Sequence, residues 1–81
     1  IVGPICETGD YIALNREIDN VENNALLAIR TTGAYSSVMS SNYNTRSSAS
    51  EIFIYNNKDY LIKETETIEK LIKKEKTINF N

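Results

Sequence analysis

Histidine and tryptophan are absent from this sequence, and cysteine and proline each occur once. A single thiol cannot close an internal disulfide, and without histidine a zinc site cannot be completed, so neither of the staples that small domains use is available. No metal site is expected. Charge of one sign is also lacking: the formal net charge is −2, and the lysines gather near the C-terminus among glutamates. Nucleic-acid binding is therefore not indicated. No apolar run approaches the ~20 residues that cross a bilayer, and no basic segment followed by an apolar stretch marks a secretory signal. A reducing, cytoplasmic setting away from membranes is the expectation. Neither a Walker pattern nor GxGxxG occurs, so no phosphate-binding loop is present.

With 81 residues the chain is one domain at most. A domain of this size buries only about 60% of the surface its unfolded chain exposes. Stability must then come from an efficient core, from an oligomer, or from a further part of the protein that covers exposed surface. The sequence opens directly in Ile1-Val2-Gly3-Pro4-Ile5, without methionine or polar lead-in, and reads as the interior of a longer chain.

Ile1 to Ile5 is apolar but interrupted by Gly3 and Pro4, which suits a strand ending in a turn. Tyr11 to Leu14 is a second short apolar run. Asp19-Asn20 and Asn23-Asn24 are turn signals, and they lead into Ala25 to Ile29, apolar at both parities as in a strand covered on both faces. From Thr31 to Ser50 small and hydroxyl residues dominate. That composition suits a flexible linker, yet Tyr35, Val38, Met39 and Tyr43 are spaced to share one helical face. A short helix is expected there. Glu51 to Tyr55 and Asp59 to Ile62 flank Asn56-Asn57-Lys58, the clearest hairpin signal in the chain. Thr67 then reads as an N-cap, with Glu69 in the positive first turn and Ile68, Leu71 and Ile72 on one face of a short amphipathic helix. Lys70, Lys73, Lys74 and Lys76 are its solvated face. The bare reading is mostly β with a terminal helix.

The lone cysteine lies in Gly3-Pro4-Ile5-Cys6-Glu7-Thr8-Gly9-Asp10. A free cysteine is most often a small buried hydrophobe. Here it sits in a turn-rich segment, where side chains are presented rather than packed. Neighbouring carboxylates disfavour a thiolate, which argues against a Cys–His nucleophile and is compatible with a thiol kept protonated as a proton donor. Tyr35, after Gly33-Ala34, is either a core tyrosine or a hydroxyl that donates to an anionic ligand. Arg16 and Arg46 are candidates for pairing with carboxylates, and equally for surface ion pairs. Asn42, Tyr43 and Asn44 read as residues that satisfy backbone groups in an irregular segment.

In order, the segments resemble the C-terminal domain of the pyridoxal-phosphate-dependent decarboxylases of ornithine, diaminopimelate and arginine, enzymes of the alanine racemase-like fold type. The family pattern GP-x-CES-GD has its counterpart in Gly3 to Asp10, the GDLLA strand in Ala25 to Ile29, and GAY in Gly33-Ala34-Tyr35. MSSNYNSR corresponds to Met39 to Arg46, and the RRETYEDLL helix to Glu64 to Ile72. Ser47 and Ser48 stand where the family usually has prolines, so a more flexible lead into the strand at Glu51 is expected.

The resemblance implies a C-terminal β-barrel or sandwich-like domain over 1–76 with a tail over 77–81. It implies an N-terminal TIM-like barrel, absent from this chain, that carries the cofactor lysine and holds most of the pyridoxal phosphate. It further implies a head-to-tail homodimer in which the Cys6–Glu7 pair enters the partner's active site. Cys6 would be the proton donor, Glu7 would hold the distal ammonium of the substrate, and Tyr35 would contact substrate and cofactor phosphate. Glu7 and Ser40 to Asn44 favour meso-diaminopimelate over ornithine or arginine as substrate, with L-lysine and carbon dioxide as products. The chain alone is expected to be inactive. The alternatives are a stand-alone β-domain interaction module and a decarboxylase of another basic amino acid.

Overall fold

Asn56 and Asn57 both adopt positive φ, 49° and 59°, the backbone that a two-residue type I′ turn requires and that asparagine tolerates best after glycine. The turn joins β1 (Glu51–Tyr55) to β2 (Lys58–Lys63) in an antiparallel pair with Tyr55 opposite Lys58 and Phe53 opposite Tyr60. The hairpin expected from the Asn pair is therefore present. A register shift between Glu51 and Ile52 leaves Ile62 as the extra residue of a bulge, after which Glu51 faces Lys63. The two carry an exposed ion pair at 3.4 Å, a contact that contributes little in water. Phe53 and Tyr55 lie on one face with ring centroids 6.3 Å apart.

The computed structural model describes residues 1–81 and divides into two compact units, Ile1–Met39 and Ser40–Asn81. The second unit holds the hairpin and α1 (Ile68–Ile72). Thr67 caps α1, its hydroxyl accepting from the Lys70 N–H at 3.2 Å, and Glu69 lies in the first turn. Leu71 is half-buried, whereas the lysines of this end are exposed. At five residues α1 is far shorter than the ~12 or more that stand alone in water.

Two expectations are not met. Ala25 to Ile29 forms no strand, and Leu26 is 99% exposed. A strand covered on both faces needs ladder partners at its edges and packing layers above and below, and the first unit contains only one isolated bridge, Val2 to Tyr11. The Ser-rich segment forms two 3₁₀ turns, Ser37–Met39 in the first unit and Tyr43–Thr45 in the second, in place of one helix. Serine and asparagine side chains compete for backbone groups, and Asn44 breaks helical geometry with φ 58°.

No side chain in either unit is fully buried, and Ile, Leu, Val, Phe and Tyr side chains stay exposed along the chain. The architecture is thus a small, mostly β arrangement with short helical turns and no closed core. No helix is long and apolar enough to cross a membrane.

Candidate active-site loop

Gly3 to Asp10 is closed at its base by the Val2–Tyr11 bridge and by the Gly3 N–H donating to the Asp10 carbonyl at 2.9 Å. Ile12 and Ala13 N–H groups donate to the Ile1 carbonyl, and the Ile1 amino group donates back to the Ala13 carbonyl at 2.9 Å. Pro4 supplies no N–H, and the pairing ends there. Within the closed segment the carboxylates do the folding. The Asp10 carboxylate accepts from the Ile5 N–H at 2.6 Å, a short charge-assisted bond, and the Asp10 N–H donates to the Glu7 carbonyl at 3.1 Å. Glu7 accepts from the Gly9 N–H at 2.9 Å through its carboxylate and from the Thr8 hydroxyl at 3.4 Å.

Both flanking glycines have steric work. A Cβ on Gly3 would collide with the Asp10 carboxylate, and one on Gly9 would stand 3.0 Å from Glu7 Oε2. The side chains that sequence reading treated as electrostatic neighbours of the thiol are thus also the ones that shape its loop. Cys6 is exposed on the loop.

Tyr35 lies in the same unit, 78% exposed, with φ 61°. Positive φ is uncommon for an aromatic residue and marks a locally strained position. Gly33, by contrast, has open space around it. The strain sits on the tyrosine itself. An open groove of about 620 Å³ in this unit is lined mainly by apolar residues, among them Ile12, Val21, Leu27 and Ile29, with Arg16, Asp19 and Arg30 at its charged positions. It includes none of Cys6, Glu7 or Tyr35.

In the second unit the structure reveals a cluster that sequence reading missed. The Glu66 carboxylate accepts from Asn42 Nδ2 at 2.8 Å, the Ser48 N–H at 3.1 Å and the Ser48 hydroxyl at 3.4 Å. The Ser48 backbone N–H foremost, joined by the Asn42 and Ser48 side chains and the Lys63 charge, holds its carboxyl below the usual glutamate range against the opposing effect of burial. Ser48, expected to loosen the lead into β1, is fastened instead. Asn42 also donates to the Arg46 carbonyl at 2.9 Å, the backbone-satisfying role expected of it. Nothing in the local sequence around Glu66 names partners so far back in the chain.

The loop just described carries the pattern of a known class. Residues 1–33 match the family of pyridoxal-dependent decarboxylases, in the part described as the C-terminal sheet domain. Cys6 and Glu7 fall within that match, and Tyr35 lies beyond it.

At the level of particular proteins, the chain is similar to diaminopimelate decarboxylases over most of its length. It is 46% identical to that of Aquifex aeolicus over 72 residues, which cover 89% of this chain and 17% of the relative. With the Pseudomonas aeruginosa protein it shares 46% over 71 residues, 88% of this chain and 17% of that protein. The Zymomonas mobilis protein matches at 41% over 80 residues, 99% of this chain and 19% of that protein. The chain thus spans less than a fifth of the length of these relatives. No solved structure matches it.

Proposed function

We propose that this chain is the C-terminal β domain of a decarboxylase that converts meso-diaminopimelate to L-lysine and carbon dioxide in the cytoplasm. The supporting observation is Cys6, an exposed thiol on a loop whose shape is held by Asp10 and Glu7, within a segment that matches the decarboxylase family. In this reading residues 1–76 complete a β-barrel or sandwich-like domain, 77–81 form a tail, and an N-terminal barrel supplies the cofactor lysine.

The chain's own residues fit pyridoxal phosphate as contributors. Every lysine lies at position 58 or later, and none is in the unit that carries Cys6. Tyr35, exposed, offers one hydroxyl donor suited to the cofactor phosphate and to the substrate. When bound, that cofactor supplies the electron sink for loss of the substrate carboxylate.

Cys6 then delivers a proton. Carbon–carbon cleavage releases carbon dioxide, the Cys6 thiol donates its hydrogen to the substrate α-carbon as a new C–H bond forms, and the thiolate recovers a proton from water. Glu7 faces the distal ammonium, where a carboxylate is the matching charge. Its bond to the Gly9 N–H fixes the carboxylate on the loop at the same time. In the head-to-tail dimer this loop enters the partner's active site.

The test is carbon dioxide release by the complete polypeptide loaded with pyridoxal phosphate. Release from meso-diaminopimelate, well above release from ornithine or arginine, is expected. Turnover of ornithine or arginine alone would overturn the substrate assignment. No turnover of any of the three by folded, loaded protein would overturn the decarboxylase reading.

A further inference from the structure

Glu66 stands just before the cap of α1, yet its partners come from the far side of the hairpin. Its N–H donates to the Ser48 carbonyl at 3.0 Å, and its carboxylate accepts from the Ser48 N–H at 3.1 Å. The same carboxylate holds Asn42 Nδ2 at 2.8 Å, and Asn42 in turn holds the Arg46 carbonyl at 2.9 Å. Between Asn42 and Arg46 lie two successive residues of positive φ, Asn44 at 58° and Thr45 at 57°. Asparagine tolerates that region, but a β-branched threonine does not, and such a residue persists only where its surroundings hold it. No buried core surrounds this turn. Asn42 bridges the turn to the Arg46 carbonyl, and the Glu66 carboxylate fastens Asn42 before the turn and Ser48 after it.

We propose that Glu66 is a conformational latch: in its ionised form it clamps Asn42 and Ser48, and through them keeps the strained Asn44–Thr45 turn closed over the lead into β1. Protonation weakens all of its accepting bonds together and releases the turn. The charged group acting on Glu66 is Lys63 at the end of β2, which favours the ionised form, and the other contacts come from neutral Ser48 and Asn42. Since the carboxyl is held below its ordinary range, the latch is closed at and above that range and opens only as pH falls through the lowered value. This inference stands apart from the decarboxylase reading, because its test does not use activity.

Hydrogen exchange of the complete polypeptide at neutral pH, read by peptide, tests it with Glu66→Ala and Glu66→Gln. For Glu66→Ala, exchange over 42–48 is expected to rise about three- to tenfold, the scale of losing exposed charge-assisted hydrogen bonds, with 52–61 unchanged. Glu66→Gln, which keeps the shape and loses the charge, is expected to fall between wild type and Glu66→Ala. Unchanged exchange over 42–48 in Glu66→Ala would overturn the latch. So would an equal rise across the hairpin, or a Glu66→Gln variant indistinguishable from wild type.

Discussion

The Asp10 carboxylate occupies the space that a side chain at position 3 would need, while the Gly3 N–H donates to the Asp10 carbonyl at 2.9 Å. Glycine at position 3 and aspartate at position 10 therefore form one device. The aspartate can turn inward to hold the Ile5 N–H at 2.6 Å only because position 3 is bare, and that bond sets the backbone immediately before Cys6.

Gly3→Ala is accordingly expected to displace the Asp10 carboxylate. Amide exchange at Ile5 should rise roughly tenfold, as for the loss of one bond to a charged acceptor. Asp10→Asn, which keeps the shape and removes the charge, should give a smaller rise. Equal protection of Ile5 in Gly3→Ala and wild type would show that the collision is relieved without cost to the loop.

In a peptide spanning 50–64, the hairpin population should respond to position 57. Asn57→Gly relieves a left-handed residue and should raise the population, whereas Asn57→Val should nearly abolish it, since a β-branched residue there costs about 1–2 kcal/mol. Cross-strand nuclear Overhauser effects between Phe53 and Tyr60 report the result. A valine variant with undiminished contacts would contradict the type I′ assignment.

For the isolated 81-residue chain, the open apolar surface of both units predicts binding of a hydrophobic dye and concentration-dependent self-association. Light scattering over a dilution series measures it. A monomer with a sharp, high-temperature unfolding transition would contradict the absence of a closed core.

What could be read from the sequence was local. Asn56-Asn57 named its turn because the required backbone belongs to those residues, and Thr67 named its cap because a hydroxyl reaches its own next turn. Cys6 could be singled out for a similar reason: glycines and a proline surround it. Ala25 to Ile29 failed as a strand because apolar residues at both parities say what a strand needs around it, not whether the surroundings are in the chain. The Ser-rich segment failed as a helix because helical spacing of four side chains did not outweigh serines and asparagines that bind backbone groups. Glu66 was invisible for the opposite reason: its partners, Asn42 and Ser48, are 24 and 18 residues away, and no local pattern announces a contact at that range.

In the proposed reaction Cys6 gives a proton to the substrate. In the complete, cofactor-loaded polypeptide, Cys6→Ala is expected to lower turnover of meso-diaminopimelate by roughly 10²–10⁴-fold, the contribution of a positioned general acid, while cofactor absorbance and substrate binding are largely kept. Turnover within twofold of wild type would contradict it.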